Sequence, residues 1–207
     1  PYIDNYTAIG LWLWYNWYMI RKILQMDQPS LKTPSEPVTV FGSEELKTLV
    51  QDLLDTCLDK EEVTAGLSAP QIGINLQVCV CRRMDLEEKS EKPIEKELLW
   101  EVLINPKINS TLKKHSTYWE GCLSVGEGED GLYGPVTRPD YVKIEYKDIN
   151  GNIKSLDCKG FFAHIVQHEL DHLNGIIFLK YIDDPQAIWK CKDLDNYYAK
   201  HGEYPEV

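Results

Sequence analysis

The chain reads as an α+β protein, with antiparallel β-sheets packed around a central helix and one further helix towards each end. Three observations predict this. Residues 141–146 and 153–158 alternate at the two-residue period of a strand, two other stretches repeat apolar residues at three and four, and residues 160–173 are apolar around much of a helical circumference. A helix greasy on that many sides has to be enclosed, and strands are the material left to enclose it.

Taken in order, Pro29, Pro34 and Pro37 mark an extended segment. Ser43 is the expected N-cap of the first helix, Glu44 and Glu45 suit its first turn, and Leu46, Leu49, Val50, Leu53, Leu54, Cys57 and Leu58 form its core stripe. Residues 64–71 read as a turn-rich loop, and 74–81 and 102–108 as strands. Between those strands, residues 82–100 are charged and read as a mobile insertion. Asn150-Gly151 predicts a hairpin turn, Gly160 opens the central helix, and Asn174-Gly175 ends it. Residues 176–179 are expected to return as a strand. Asp184-Pro185 should start a last amphipathic helix bearing Ile188, Cys191, Leu194 and Tyr198.

A length of 207 residues with 43% hydrophobic content suits one domain with a sizeable core, expected over residues 19–207. Residues 1–18 stand apart. They carry Trp12, Trp14 and Trp17 with no Lys or Arg before them, which fits neither a signal peptide nor a spanning helix of about 20 apolar residues. They are read as an extension before a natural start at Met19, and their aromatic surface offers a route to self-association of an otherwise monomeric chain. With 22 basic and 33 acidic residues the net charge is −11, which argues against direct nucleic-acid binding. Of six cysteines, none forms a CxxC pair, and Cys79 and Cys81 share one strand face as small core residues. Reduced thiols, and hence a cytoplasmic setting, are expected.

The chemistry is concentrated in His168-Glu169-Leu170-Asp171-His172, an H-E-x-x-H motif. Residues four apart on a helix are separated by roughly 40° and about 6 Å of rise, so two imidazoles there can grip one metal ion. Glu169 beside them can take a proton from an activated water, which predicts metal-assisted hydrolysis. A site of this kind usually needs a third protein ligand. A second segment, Glu120-Gly121-Cys122-Leu123-Ser124, places a thiol within a compact glycine-containing stretch.

Together these segments resemble the peptide deformylases, whose motifs have the forms GxGxAAxQ, EGCLS and HExDH. The last two are complete. The first stands as Thr64-Ala65-Gly66-Leu67-Ser68-Ala69-Pro70-Gln71, with Thr64 for the first Gly and Ser68 for the first Ala, while Gly66, Ala69 and Gln71 match. The resemblance spans residues 19–181. It implies that Cys122, His168 and His172 ligate one ion per chain, with Fe(II) native and Zn(II), Ni(II) or Co(II) as substitutes. It further implies that Glu169 is catalytic acid and base, and that Gln71 and the Leu123 N–H face the developing oxyanion. The implied substrate is the N-formylmethionyl end of nascent peptides, met close to the ribosome and not at a membrane. Ala65, Gly66, Gly121, Phe161 and Ile165 would contact it, though core packing accounts equally for the two helix residues. The acidic, glycine-rich residues 126–134 would form a rim. Arg138 would pair with Glu120 and steady the Cys122 loop.

Two other readings compete. A zinc peptidase also uses H-E-x-x-H but takes its third ligand downstream, where Asp183, Asp184 and His201 are available. A non-catalytic relative would bind N-terminal methionine without turnover, although it would be free to lose Glu169.

Overall fold

Helix α1 (Glu44–Asp59) begins where the sequence places it, with the Ser43 hydroxyl accepting the Leu46 N–H at 3.2 Å. Its inner stripe of Leu46, Leu49, Leu53 and Cys57 is buried against one face of a five-stranded antiparallel sheet. The computed structural model describes residues 19–60, 63–87 and 99–206. The sheet runs β1 (Gly66–Ser68), β2 (Val78–Arg82), β3 (Trp100–Thr111), β6 (Tyr141–Lys147) and β7 (Ile153–Lys159).

Alternation along β2 explains why that strand is apolar throughout. Val78 and Val80 face α1, whereas Cys79 and Cys81 face the central helix α3 (Gly160–Leu173) on the other side. All four are fully buried. From α3, Phe162, Ala163, Ile165, Val166, Leu170 and Leu173 meet Leu103, Val142, Ile144 and Cys158 of the sheet. A smaller antiparallel sheet, β4 (His115–Gly121), β5 (Leu132–Pro139) and β8 (Trp189–Lys190), also packs on α3. The central helix therefore lies between two sheets.

The N-terminal segment is pinned to this frame by Asn105. Its side chain receives the Val38 N–H and donates to the Val38 carbonyl, both at 2.8 Å, from a backbone at φ 51° beside the irregular register of β3 and β6. Further along, Leu24 N–H donates to the Gln71 carbonyl and Met26 N–H to that of Ser124, both at 2.8 Å.

Several expectations need correction. The strand expected over 74–81 starts only at Val78, because the amides of Ile74 and Leu76 turn back onto the carbonyls of Ala69 and Ile74. Residues 64–71 are more ordered than a loop, holding β1 and a 3-10 turn at Ala69–Ile72. Residues 176–179 do not form a strand: Phe178–Tyr181 is a 3-10 helix that buries Phe178 against Val125 and Val136. A short apolar run fits either period, and here the packing of one aromatic ring decides it. The last helix does not begin at Asp184. A 3-10 turn at Pro185–Ala187 and strand β8 precede α4 (Cys191–His201), in which Leu194 is the buried residue. Pro29 opens a 3-10 turn, Pro29–Lys32, instead of extending the chain. Strands β4 and β5 were not anticipated at all. Residues 1–18 and 88–98 lie outside the described residues, and with them the aromatic extension and most of the charged insertion, of which Met84–Glu87 forms the short helix α2. The Asn150-Gly151 hairpin and the ends of α3 fall as expected.

All six cysteines are free thiols. No described helix is long and apolar enough to cross a membrane. Leu103 of β3 is fully buried in the cluster shared with α3, so Leu103→Ala is expected to cost about 3 kcal/mol through lost burial and a residual cavity, read from the midpoint of urea unfolding at unchanged slope.

Candidate metal centre and active site

Helix α3 is held between the sheets by its apolar residues, and this buries the polar ones that it carries. Glu169 is 3% exposed and His172 1%. Strand β4 ends at Gly121, and the turn that follows brings Cys122 over the helix. The Cys122 Sγ lies 3.2 Å from His172 Nε2. Ligand atoms of Cys122, His168 and His172 all lie within 4.8 Å of one another, and among the described residues these three form a group fit for a metal. The downstream alternatives do not join it: Asp184 caps the turn at Gln186, His201 stacks on Tyr197, and Asp183 is no part of the cluster.

Charge favours an ion here. Burial alone would raise the Cys122 thiol, but His172 and His168 beside it outweigh burial and bring it down to about 5, so the sulfur is a thiolate at neutral pH. One thiolate with two imidazoles is a donor set that suits Zn(II) or Fe(II) and leaves a position open. His168 directs its Nδ1 to Glu120 Oε2 at 2.8 Å, which leaves Nε2 for the group.

Glu120 is the buried anchor of this arrangement. Arg138 reaches it twice, through Nε at 2.6 Å and Nη2 at 3.0 Å, and extends Nη1 to Asp171 Oδ2 at 2.6 Å. His164 Nε2 lies 2.5 Å from Glu120 Oε1, near enough for an ion pair but off the hydrogen-bond direction. Against the cost of burial, His164, His168 and Arg138 hold the Glu120 carboxyl far below the usual range. Burial pushes Glu169 the other way, up from its ordinary value, while His168, His172 and Ser68 oppose it.

Motif one closes the opposite side. The Ser68 hydroxyl bonds the Glu169 carboxylate, and Gln71 Oε1 accepts the Ser68 N–H at 2.8 Å. Gln71 Nε2 then points to Ser124 Oγ at 3.2 Å and Cys122 Sγ at 3.6 Å. A cavity of about 500 Å³ opens beside Cys122 and His168. It is lined by Ala65, Gly66, Gln71, Glu120, Gly121, Leu123, Phe161, Ile165 and Glu169, so every residue expected in the site except His172 and Arg138 meets it directly. Phe161 is 38% exposed and so is no core residue, whereas Ile165 is buried and serves both core and wall. Gly126, Gly128, Glu129 and Gly131 form the expected rim.

Sequence reasoning missed His164, Gln25 and the wall supplied by Trp119 and Cys191, whereas Tyr133 falls within the expected rim. His164 was in reach, one helical turn before His168 on the same face. Gln25 was not, because its contacts are made with distant backbone: Nε2 donates to the Leu123 carbonyl and Oε1 accepts the Gly126 N–H.

A thiolate and two imidazoles converging beside a buried carboxylate is the equipment of the metal-dependent hydrolases. Similarity to known proteins narrows that class. The family model described as polypeptide deformylase matches residues 20–187. "Peptide deformylase 1" of Nitrosomonas europaea is 38% identical over 168 residues, 80% of this chain and 89% of that protein. The peptide deformylase of Novosphingobium aromaticivorans is 35% identical over 189 residues, 85% of this chain and 96% of its own. Among solved structures, the actinonin-bound class I type b peptide deformylase of Acinetobacter baumannii superposes with a TM-score of 0.67 at 29% identity, covering 80% of this chain and 99% of that one. The actinonin complex of the Synechococcus elongatus enzyme gives 0.67 at 32% identity, covering 88% and 86%. The chain belongs to the polypeptide deformylase family. It is a metal-dependent hydrolase that removes the formyl group from the N-terminal formyl-methionine of new proteins and releases formate.

A Cβ on Gly66 would stand 2.5 Å from Glu169 Oε1. Gly66→Ala is therefore expected to displace that carboxylate and lower formate release at least about tenfold, with thermal unfolding shifted little.

Proposed function

We propose that Cys122, His168 and His172 hold one ion per chain, natively Fe(II) and replaceable by Zn(II), Ni(II) or Co(II), and that Glu169 works beside it as base and then acid. The convergence of the three donors within 4.8 Å, next to Glu169 in an open cavity, carries this reading. An ion bound there supplies Lewis acidity, polarising a carbonyl and making water acidic. Glu169 removes the proton of the attacking water. It then delivers that proton to the departing methionine nitrogen, so the bond from the formyl carbon to nitrogen breaks with formate and a free amine as products. Its buried position, which favours the protonated form, suits the second half of that task. Gln71 Nε2 and the Leu123 N–H donate to the carbonyl oxygen as it becomes negative. Glu120, held by Arg138, fixes the ring of His168.

The methionine side chain enters the apolar part of the cavity at Phe161, Ile165 and Ala65, and backbone at Gly66 and Gly121 pairs with the extended peptide. Residues 19–207 act as one catalytic domain. We place the enzyme in the cytoplasm as a monomer, meeting nascent chains near the ribosome without gripping nucleic acid, and its charge of −11 supports that separation from phosphate.

Glu169→Ala should retain its metal and lose nearly all formate release from a formyl-methionyl peptide; equal turnover in parent and variant would refute the base. Cys122→Ser should instead lower metal occupancy or change the preferred ion, measured by elemental analysis after dialysis, and unaltered content would remove Cys122 from the ligand set.

A further inference from the structure

We propose that Ser68, at one of the two positions where motif one departs from the family pattern, is a positioning residue that ties the base to the oxyanion donor. Two groups of the same residue act in opposite directions. Its hydroxyl gives its one proton to Glu169 Oε2, and the Glu169 backbone carbonyl lies 3.2 Å from the same oxygen, so the side chain sits against both ends of the base. Its backbone N–H donates to Gln71 Oε1 at 2.8 Å and turns the Nε2 of that amide toward Ser124 and Cys122. Ser68 is fully buried, so water does not compete for either contact. On its free side the Glu169 carboxylate packs against the backbone of Gly66. With the hydroxyl present it has one resting place. Without it, one oxygen of a buried carboxylate loses a donor, and the side chain gains freedom to rotate away from the reacting atoms.

An alanine at 68 keeps the backbone contact to Gln71 and removes only the hydroxyl. The inference rests on the proposed role of Glu169, and the test separates the two. Formate release from a formyl-methionyl peptide is measured for metal-loaded parent, Ser68→Ala, Glu169→Ala and the double variant, with metal content and thermal unfolding determined for each. Ser68→Ala is expected to lower kcat about tenfold with KM within about twofold and metal unchanged, and to cause no further loss in the Glu169→Ala background. An unchanged kcat, or the same fractional loss in both backgrounds, would overturn the positioning role while leaving Glu169 as base. Full activity in Glu169→Ala would overturn the base itself. Should Ser68→Ala fail to fold, Ser68→Cys keeps the volume with a weaker donor, and a parental kcat there would overturn the proposal equally.

Discussion

The structure depends on one buried carboxylate. Glu120 stands one residue before the end of β4 in the small sheet, and its two oxygens are shared among Arg138 from the neighbouring strand and His164 and His168 from the central helix. A carboxylate taken out of water without partners would cost several kcal/mol, so its burial is tolerable only while all of these groups surround it. That requirement fixes the distance between the small sheet and the helix, and with it the distance from Cys122 to the two histidines. Arg138 extends the constraint by bonding Asp171 within H-E-x-x-H, where Tyr181 also donates to Asp171 at 3.0 Å. Glu120, Arg138 and Asp171 thus set the geometry of the three residues that converge as a metal group.

The second constraint is apolar. A helix bearing Glu169 and His172 almost out of reach of solvent must be carried by residues that prefer to be there, and Phe162, Ala163, Ile165, Val166, Leu170 and Leu173 supply that preference. Between β1 and the Cys122 turn the packing leaves an approach to the helix, and the cavity beside Glu169 lies there. Fold and site are therefore one packing problem. The same walls that exclude water from the core lower the dielectric around the thiolate and the imidazoles, where charge acts most strongly.

The sequence made the central helix, the first helix, the hairpin at Asn150-Gly151 and the two complete motifs legible, because each has a strong local signature in period, cap or spacing. It did not reveal β4 and β5. Their inward residues include Glu120 and Arg138, so the alternation that marks a half-buried strand is broken by the charges the site requires. Phe178 misled in the opposite sense, since an apolar run with one large ring satisfied a strand pattern while the ring's pocket demanded a turn. Strand β8 is two residues long and exists through pairing with Leu132 and Tyr133, a partner no local reading could supply. In the site, residue types chosen for chemistry were visible, and among those chosen for support Glu120 and Arg138 were visible while His164 and Gln25 were not. His164 and Gln25 act through a carboxylate and through backbone, and neither belongs to a motif.

The two glycines that remain in the motifs show why backbone proximity matters as much as side-chain chemistry. At Gly121 an added Cβ would collide with the Tyr133 ring, and at Gly66 it would collide with the Glu169 carboxylate. Neither residue has a left-handed backbone, so what is needed is the absence of a side chain and not conformational freedom. Gly121 allows Tyr133 to close over the turn that carries Cys122. Gly66 brings β1 against the Glu169 carboxylate. Positions that an alignment would score as simple glycine matches are, in this molecule, the close approaches that let the Glu169 carboxylate lie against β1 and the Tyr133 ring lie against the Cys122 turn.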